Sequence, residues 1–280
     1  TQIKIISFMS QKKILYISQE IYPYLDETPI SNISRYLPQA IQEKGKEIRA
    51  FMPKYGNINE RRNQLHEVIR LSGMNLIIDD TDHSLIIKVA SIQAARMQVY
   101  FIDNEDYFQN RETLVDKNGE EYDDNDERAI FFIRGVMETI KKLRWVPDVV
   151  HCHGWFSALA PLYIKKGYAD DPCFKDAKVV YSIYDETVKK PFNMAIADKL
   201  RFDGIGGPEI EKVKARGTMD YQNLMKLAID FSDGVIMGSD AIDPDVQAYL
   251  KEQKTLTLPY EADFDTYAEK IDGFYDKIGG

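Results

Sequence analysis

Two histidines flank a cysteine at His151-Cys152-His153, and Gly154 and Trp155 follow at once. Imidazoles and a thiol this close could bind a metal or run nucleophilic catalysis. The local pattern argues against both. In a strand alternate side chains share a face, so Cys152 points away from the two histidines, and no second Cys/His group completes a tetrahedral site. Cys173 stands alone. A cysteine set between apolar valines and a helix reads as core. What remains is a histidine at a strand end, able to hydrogen-bond a polar ligand through either ring nitrogen. Asp26-Glu27-Thr28-Pro29 marks another strand-to-helix turn, the usual seat of a phosphate. It carries neither a Gly-x-Gly-x-x-Gly nor a Walker-type Gly-Lys-Ser/Thr, and two acids with a proline read as a capped helix start.

The elements that must position these residues follow from apolar periodicity. Lys13 to Ser18 is a short β-branched run suited to a buried first strand. Thr28 is a natural N-cap and Pro29 fits the first helical position, with Ile30, Ile33, Leu37 and Ile41 on one face. Pro38 inside that pattern predicts a kink, and Gly45 a C-cap before a strand at Glu47 to Met52. Ser84 to Ile92 and Arg96 to Ile102 read as strands joined by a tight connection. Ala129, Phe132, Ile133, Val136, Ile140 and Leu143 trace an amphipathic helix. Strands at Val149 to Cys152, Lys178 to Ile183 and Gly234 to Gly238 follow, with helical spacing at Trp155, Leu159, Leu162 and Tyr163 and a helix at Tyr221 to Phe231. Alternating strands and helices predict an α/β fold: a Rossmann-like three-layer domain with a largely parallel sheet. In such sheets ligands bind beyond the carboxyl ends of strands, where Gln19 to Asn32, His151 to Phe156 and Tyr184 to Pro191 arrive.

Composition bounds the function. The 280 residues carry 36 Lys+Arg against 45 Asp+Glu, a net charge of -9, and 44% are apolar. That excludes disorder and makes nucleic acid a poor partner. The longest apolar runs fall far short of the ~20 residues of a membrane span. Two cysteines make no disulfide framework, which fits a cytoplasmic location, and no export leader is apparent. Eleven acids against Arg111 and Lys117 between Asp103 and Glu127 account for the whole net charge, and the segment 103–127 reads as a solvated acidic loop. Residues 1–12, with a start candidate at Met9, read as a leader or start-site extension, and 13–280 as a single domain.

Several stretches together resemble one family. Pro147 to Lys165 (P-D-V-V-H-C-H-G-W-F-S-A-L-A-P-L-Y-I-K) resembles the P-D-V-V-H-x-H-D-W-H-x-x-L-x-P-x-Y motif of bacterial glycogen and starch synthases, glycosyltransferase family 5. Val99 to Phe108 resembles its V-Y-F-L-D-N-x-x-Y-F, and Tyr122 to Phe132 its Y-x-D-N-x-E-R-F-x-F-F. Gln19 to Pro23 resembles the opening S-E-x-x-P, and Leu37 to Ala40 the L-P-x-A. The likeness runs over residues 13 to 250. It implies the N-terminal half of a two-domain GT-B glycosyltransferase that moves glucose from ADP-glucose to an α-1,4-glucan, retaining configuration and using no metal. No cofactor is implied, and the C-terminal GT-B domain is expected to be absent from this chain. His153 is then the catalytic candidate facing the glucosyl group, and Glu20, Asn32, Trp155, Tyr184 and Asp185 are the substrate-binding candidates.

The departures cluster at the site. The family's Lys-Thr-Gly-Gly-Leu-Ala-Asp-Val falls on Asp26 to Ile33, so Asp26 stands where a lysine meets the diphosphate, and Thr28 and Pro29 replace the glycines. His-Asp-Trp-His reads His153-Gly154-Trp155-Phe156, His-Asn reads Tyr184-Asp185, and Lys-Gly-Gly reads Lys226-Leu227-Ala228. A charge pair at 4 Å is worth about 4 kcal/mol at an effective dielectric of 20, so reversing one sign weighs heavily. The resemblance therefore implies a glucosyltransferase half that is inactive as an isolated chain unless a separate C-terminal domain or another protein completes it. The alternative is a non-catalytic glucan- or protein-binding relative, a pseudoenzyme with a degenerate nucleotide-sugar site.

Overall fold

A computed structural model describes residues 11–279. Apart from Gln11 and Lys12, the leader read at 1–12 lies outside the described residues. The chain runs β1 (Lys13–Ser18), α1 (Pro29–Glu43), β2 (Glu47–Pro53), β3 (His66–Glu67), β4 (Met74–Ile78), β5 (Thr81–Ile92), β6 (Met97–Asp103) and α2 (Asn125–Leu143). It continues through β7 (Val149–His153), α3 (Ala160–Leu162), β8 (Lys178–Ile183), α4 (Ile196–Phe202), α5 (Gly207–Ala215) and α6 (Tyr221–Asp230). β9 (Gly234–Met237), α7 (Pro244–Gln253), β10 (Leu256–Leu258) and α8 (Phe264–Gly279) close it.

These strands form one mixed sheet in the order β10-β9-β8-β7-β1-β2-β6-β5-β3, with β4 paired to β5. Pairings from β10 through to β6 are parallel, and β5 adds antiparallel to β6, as do β3 and β4 to β5. The α/β reading is therefore correct. β1, β7 and β8 are mainly apolar because both faces of a parallel strand are covered by helices. Of their residues only Lys13 and Lys178, the two first positions, are not fully buried.

α1 starts as its sequence predicts. The Thr28 hydroxyl accepts from the Ser31 amide at 2.9 Å, and the Ser31 hydroxyl accepts from the Thr28 amide at 2.8 Å, a reciprocal cap. Pro38 lies buried inside α1, which continues past it to Glu43 as one element. α2 buries nearly its whole circumference, with acids in its first turn and lysines in its last matching the helix dipole. Gly135 makes its close approach to the sheet, since a Cβ there would lie 2.8 Å from Ile102.

Two expectations need correction. The acidic segment 103–127 is not wholly a solvated loop. Asp103 ends β6 with no exposure and pairs with Lys88 at 2.8 Å, while Asp126, in the first turn of α2, pairs with Lys199 at 2.7 Å. Between them Glu105–Gln109 forms a wide helical turn that buries Tyr107 and Phe108. Opposite charges distant in sequence draw both ends inward. The helical spacing after Trp155 breaks into separate turns at Trp155–Ser157, Ala160–Leu162 and Tyr163–Gly167.

Candidate functional site

β1 lies between β2 and β7, and the chain builds outward on one side of β1 before returning to the other. The strand order thus reverses between β1 and β7, the crevice where open α/β sheets place ligands. Register fixes what meets there: Ser18 pairs with His153, and His153 with Ser182.

Gln19 stitches the crevice together. Its side-chain oxygen accepts from the Phe156 amide at 3.1 Å, and its side-chain nitrogen donates to Glu186 at 3.1 Å. The Tyr55 hydroxyl donates to its carbonyl at 2.9 Å. Glu186 also accepts the Trp155 amide at 3.1 Å, so one carboxyl holds the ends of β1 and β7 from the end of β8. Gly154 sits at φ 86°, and a Cβ there would fall 2.2 Å from the Gln19 oxygen. A side chain at position 154 and this Gln19 arrangement exclude one another. Burial raises the Glu186 carboxyl to about 8, against the pull of the Trp155 N–H, and nearby Glu20 pushes the same way. Glu20 itself is raised by burial, opposed by the Thr28 hydroxyl that donates to it. Neither Gln19 nor Glu186 is among the sequence-predicted site residues. Gln19 stands inside a quoted motif; Glu186 has no motif at all.

His153 is buried, with Nδ1 2.6 Å from the Tyr184 hydroxyl and Nε2 without a partner. Burial lowers it to about 3, so the imidazole is neutral. Cys152 is buried on the opposite face of β7 and its thiol is pushed up by burial, which removes it as a nucleophile. No group of three His, Cys, Asp or Glu among the described residues is placed to hold a metal.

Three clefts open along the strand ends. The first, about 360 Å³, takes Asn32 and Tyr184. The second, about 750 Å³, takes Glu20 with Tyr22, Asp26, Asn57 and Arg62. The third, about 370 Å³, takes Tyr184, Asp185 and Glu186 with Tyr221 and Asp243. His153 and Trp155 line none of the three. Trp155 packs edge-on against Phe156 at 5.8 Å and beside Phe192, and it contributes its backbone N–H instead. At the α1 N-terminus the Ser31 amide is spent on Thr28, Pro29 has no N–H, and the exposed charged side chains are Asp26 and Glu27.

A family model described as the starch synthase catalytic domain matches residues 13–256. This chain belongs to that family. Glycogen synthase of Pelodictyon phaeoclathratiforme is 39% identical over 174 residues, which is 62% of this chain and 36% of that protein. Glycogen synthase of Chlorobium luteolum is 36% identical over 196 residues, 70% of this chain and 40% of that one. The chain thus spans well under half the length of these relatives. The catalytic domain of starch synthase IV from Arabidopsis thaliana, solved with ADP and acarbose, superposes with a TM-score of 0.69 at 17% identity. That likeness covers 92% of this chain and 53% of the other, and shows a shared fold, of the GT-B type. The starch synthase match stops at 256, so Tyr260 and α8 lie beyond it. No helix among the described residues is long and apolar enough to cross a membrane.

Proposed function

We propose that this chain is a glucan-binding member of the starch synthase family whose own described residues do not grip a nucleotide diphosphate. Family membership supports chemistry on α-1,4-glucans and glucosyl transfer as the ancestral reaction. The single observation behind the restriction is the closed start of α1. A helix N-terminus binds phosphate through free N–H groups and a positive dipole end. Here the reciprocal Thr28–Ser31 cap and Pro29 leave few donors, and Asp26 and Glu27 set negative charge where an anion would sit. Arg62 shares the neighbouring cleft with three acids, Glu20, Asp26 and Glu27, so transfer from ADP-glucose requires further cations, in another domain or another chain. We propose further that 13–279 folds as one unit. Its two free cysteines suit a reducing, cytoplasmic setting.

Within this reading His153 is a neutral hydrogen-bonding group reached through movement of Tyr184, and Glu20, Asn32 and Asp185 offer polar contacts to sugar hydroxyls. Titration calorimetry with maltoheptaose and separately with ADP-glucose tests it. Heat with the glucan and none with ADP-glucose is expected. Submillimolar ADP-glucose binding that weakens in His153→Ala would sink the proposal.

A further inference from the structure

The chain between β8 and α4 has little of its own to hold it. From Asp185 to Pro191 it forms neither helix nor strand, and most of its residues are exposed. Along this stretch only the backbone N–H groups of Lys189 and Lys190 bond to another described residue, and both go to one carboxylate. Glu121 accepts from Lys189 at 2.9 Å and from Lys190 at 2.6 Å. The Lys190 ammonium adds an ion pair with Asp123. Two consecutive N–H groups closing on one anion make a specific, charge-assisted contact, and the exposed ion pair beside them adds little.

Glu121 is carried on a firm support. It faces Val115 across a short antiparallel bridge, and Asp116 closes the turn between them by accepting the Asn118 and Glu120 amides at 2.7 and 3.0 Å. Asn125 and Arg128, at the start of α2, donate to the Leu114 and Thr113 carbonyls, each at 2.9 Å. This small acidic hairpin is thus pinned to a buried helix.

Both ends of the stretch are also fixed, and both are fixed at the crevice. Before it, the Tyr184 carbonyl accepts from the Tyr221 hydroxyl at 2.8 Å. After it, Phe192 is buried against the Trp155 ring at 5.8 Å, and its amide donates to the Met219 carbonyl at 2.9 Å. Glu186, which holds the Trp155 amide and the Gln19 side chain, lies on the span between these points. Its position therefore depends on what holds the span.

We propose that residues 185–191 form a strap across the β1–β7 crevice and that Glu121 is its latch. Latched, the strap keeps Glu186 on Trp155 and Gln19. Released, it lets Glu186 withdraw, and the crevice opens. A segment with few buried contacts and exposed backbone bonds opens at low cost, so one carboxylate suffices to set the balance. The latch works in the same way whatever ligand the crevice takes.

Native-state hydrogen exchange followed by NMR on the full chain, wild type and Glu121→Ala, tests this. Trp155 is the reporter, because its amide bonds to Glu186 and not to Glu121. Exchange at Lys189, Lys190 and Trp155 should rise about tenfold or more in the variant, with the β1 amides and the melt unchanged. Glu121→Gln keeps one acceptor oxygen and should show a smaller rise at the same three amides, so it carries the test if the alanine variant fails to fold. Faster exchange at the two lysines with Trp155 unchanged overturns the strap and leaves Glu121 as a local cap. Unchanged exchange at all three overturns the latch itself. Equal acceleration throughout β1 and β7 would mean global loosening and would overturn a local release.

Discussion

His151 and His153 lie two residues apart on the same face of β7, with ring centroids 4.0 Å apart and both fully buried. Their surroundings differ in one respect. His151 has both nitrogens engaged, Nδ1 with the Tyr275 hydroxyl at 2.5 Å and Nε2 with the Ser182 hydroxyl at 2.6 Å. Tyr275 in turn donates to Tyr16 at 3.1 Å, so this imidazole joins β1, β7, β8 and α8. His153 has one partner, Tyr184, and an orphaned Nε2. Burial alone therefore does not tell a structural histidine from an available one; the completeness of its hydrogen bonding does. The strand end nearest the clefts holds the incomplete one.

The widest gap should appear on truncation. His151→Ala strands two hydroxyls and opens a cavity, at a cost of roughly 3–5 kcal/mol. His153→Ala strands one hydroxyl and removes a nitrogen that already lacked a partner, so it should cost about 1–2 kcal/mol less. Urea unfolding of both variants measures this, and equal losses would erase the distinction. Acid comes next. Burial holds His151 well below its ordinary value and His153 at about 3, and the charge of His153 further opposes protonation of His151. Their folded pKa values are depressed, so the unfolded chain takes up protons that the fold refuses. The stability linked to neutral imidazole is complete above about pH 6.5 and is lost as pH falls, by about 1.4 kcal/mol per unit for each ring. His153→Gln should lose about 1 kcal/mol less than the wild type between about pH 6.5 and 5.5, because the unfolded imidazole is half protonated at the start of that interval. Parallel losses would mean that His153 is charged in the fold.

The scaffold was more legible than the site, for a physical reason. β1 and β8 fill the bounds read from their apolar runs, because a strand covered on both faces favours apolar residues along most of its length. Thr28 and Pro29 announce α1 because cap chemistry is local. α5 buries only Ile210 and Val213 and β10 has three residues, too little pattern to read. α8 does carry helical spacing at Tyr267, Ile271, Phe274 and Tyr275, yet its contact with His151 is a tertiary fact that spacing does not hold. The same applies at the crevice. Gln19 and Glu186 meet across 167 positions of sequence, and Asp103 and Asp126 are buried only because Lys88 and Lys199 come to them.

Glu186 sharpens the contrast from the other side of neutrality, and at acid pH its replacement should give the smallest effect. Its carboxyl is raised to about 8 by burial, so the fold holds a proton that the unfolded chain releases near its ordinary value. The stability linked to that proton is complete below about pH 4.5 and is lost as pH rises through about 8, the opposite sign to the histidines. Glu186→Gln keeps an oxygen for the Trp155 and Gln19 donors and removes the titration. At about pH 4, where the carboxyl is largely protonated in both states, the variant should match the wild type within roughly 1 kcal/mol. At about pH 9 it should be the more stable of the two, because the wild type must then bury a charge or release its contacts. Urea midpoints at both pH values decide it. If wild type and variant shift by the same amount, Glu186 is ionised throughout. The β1–β7 crevice would then be held by a charged hydrogen bond, and the neutral stitch inferred for it would be wrong.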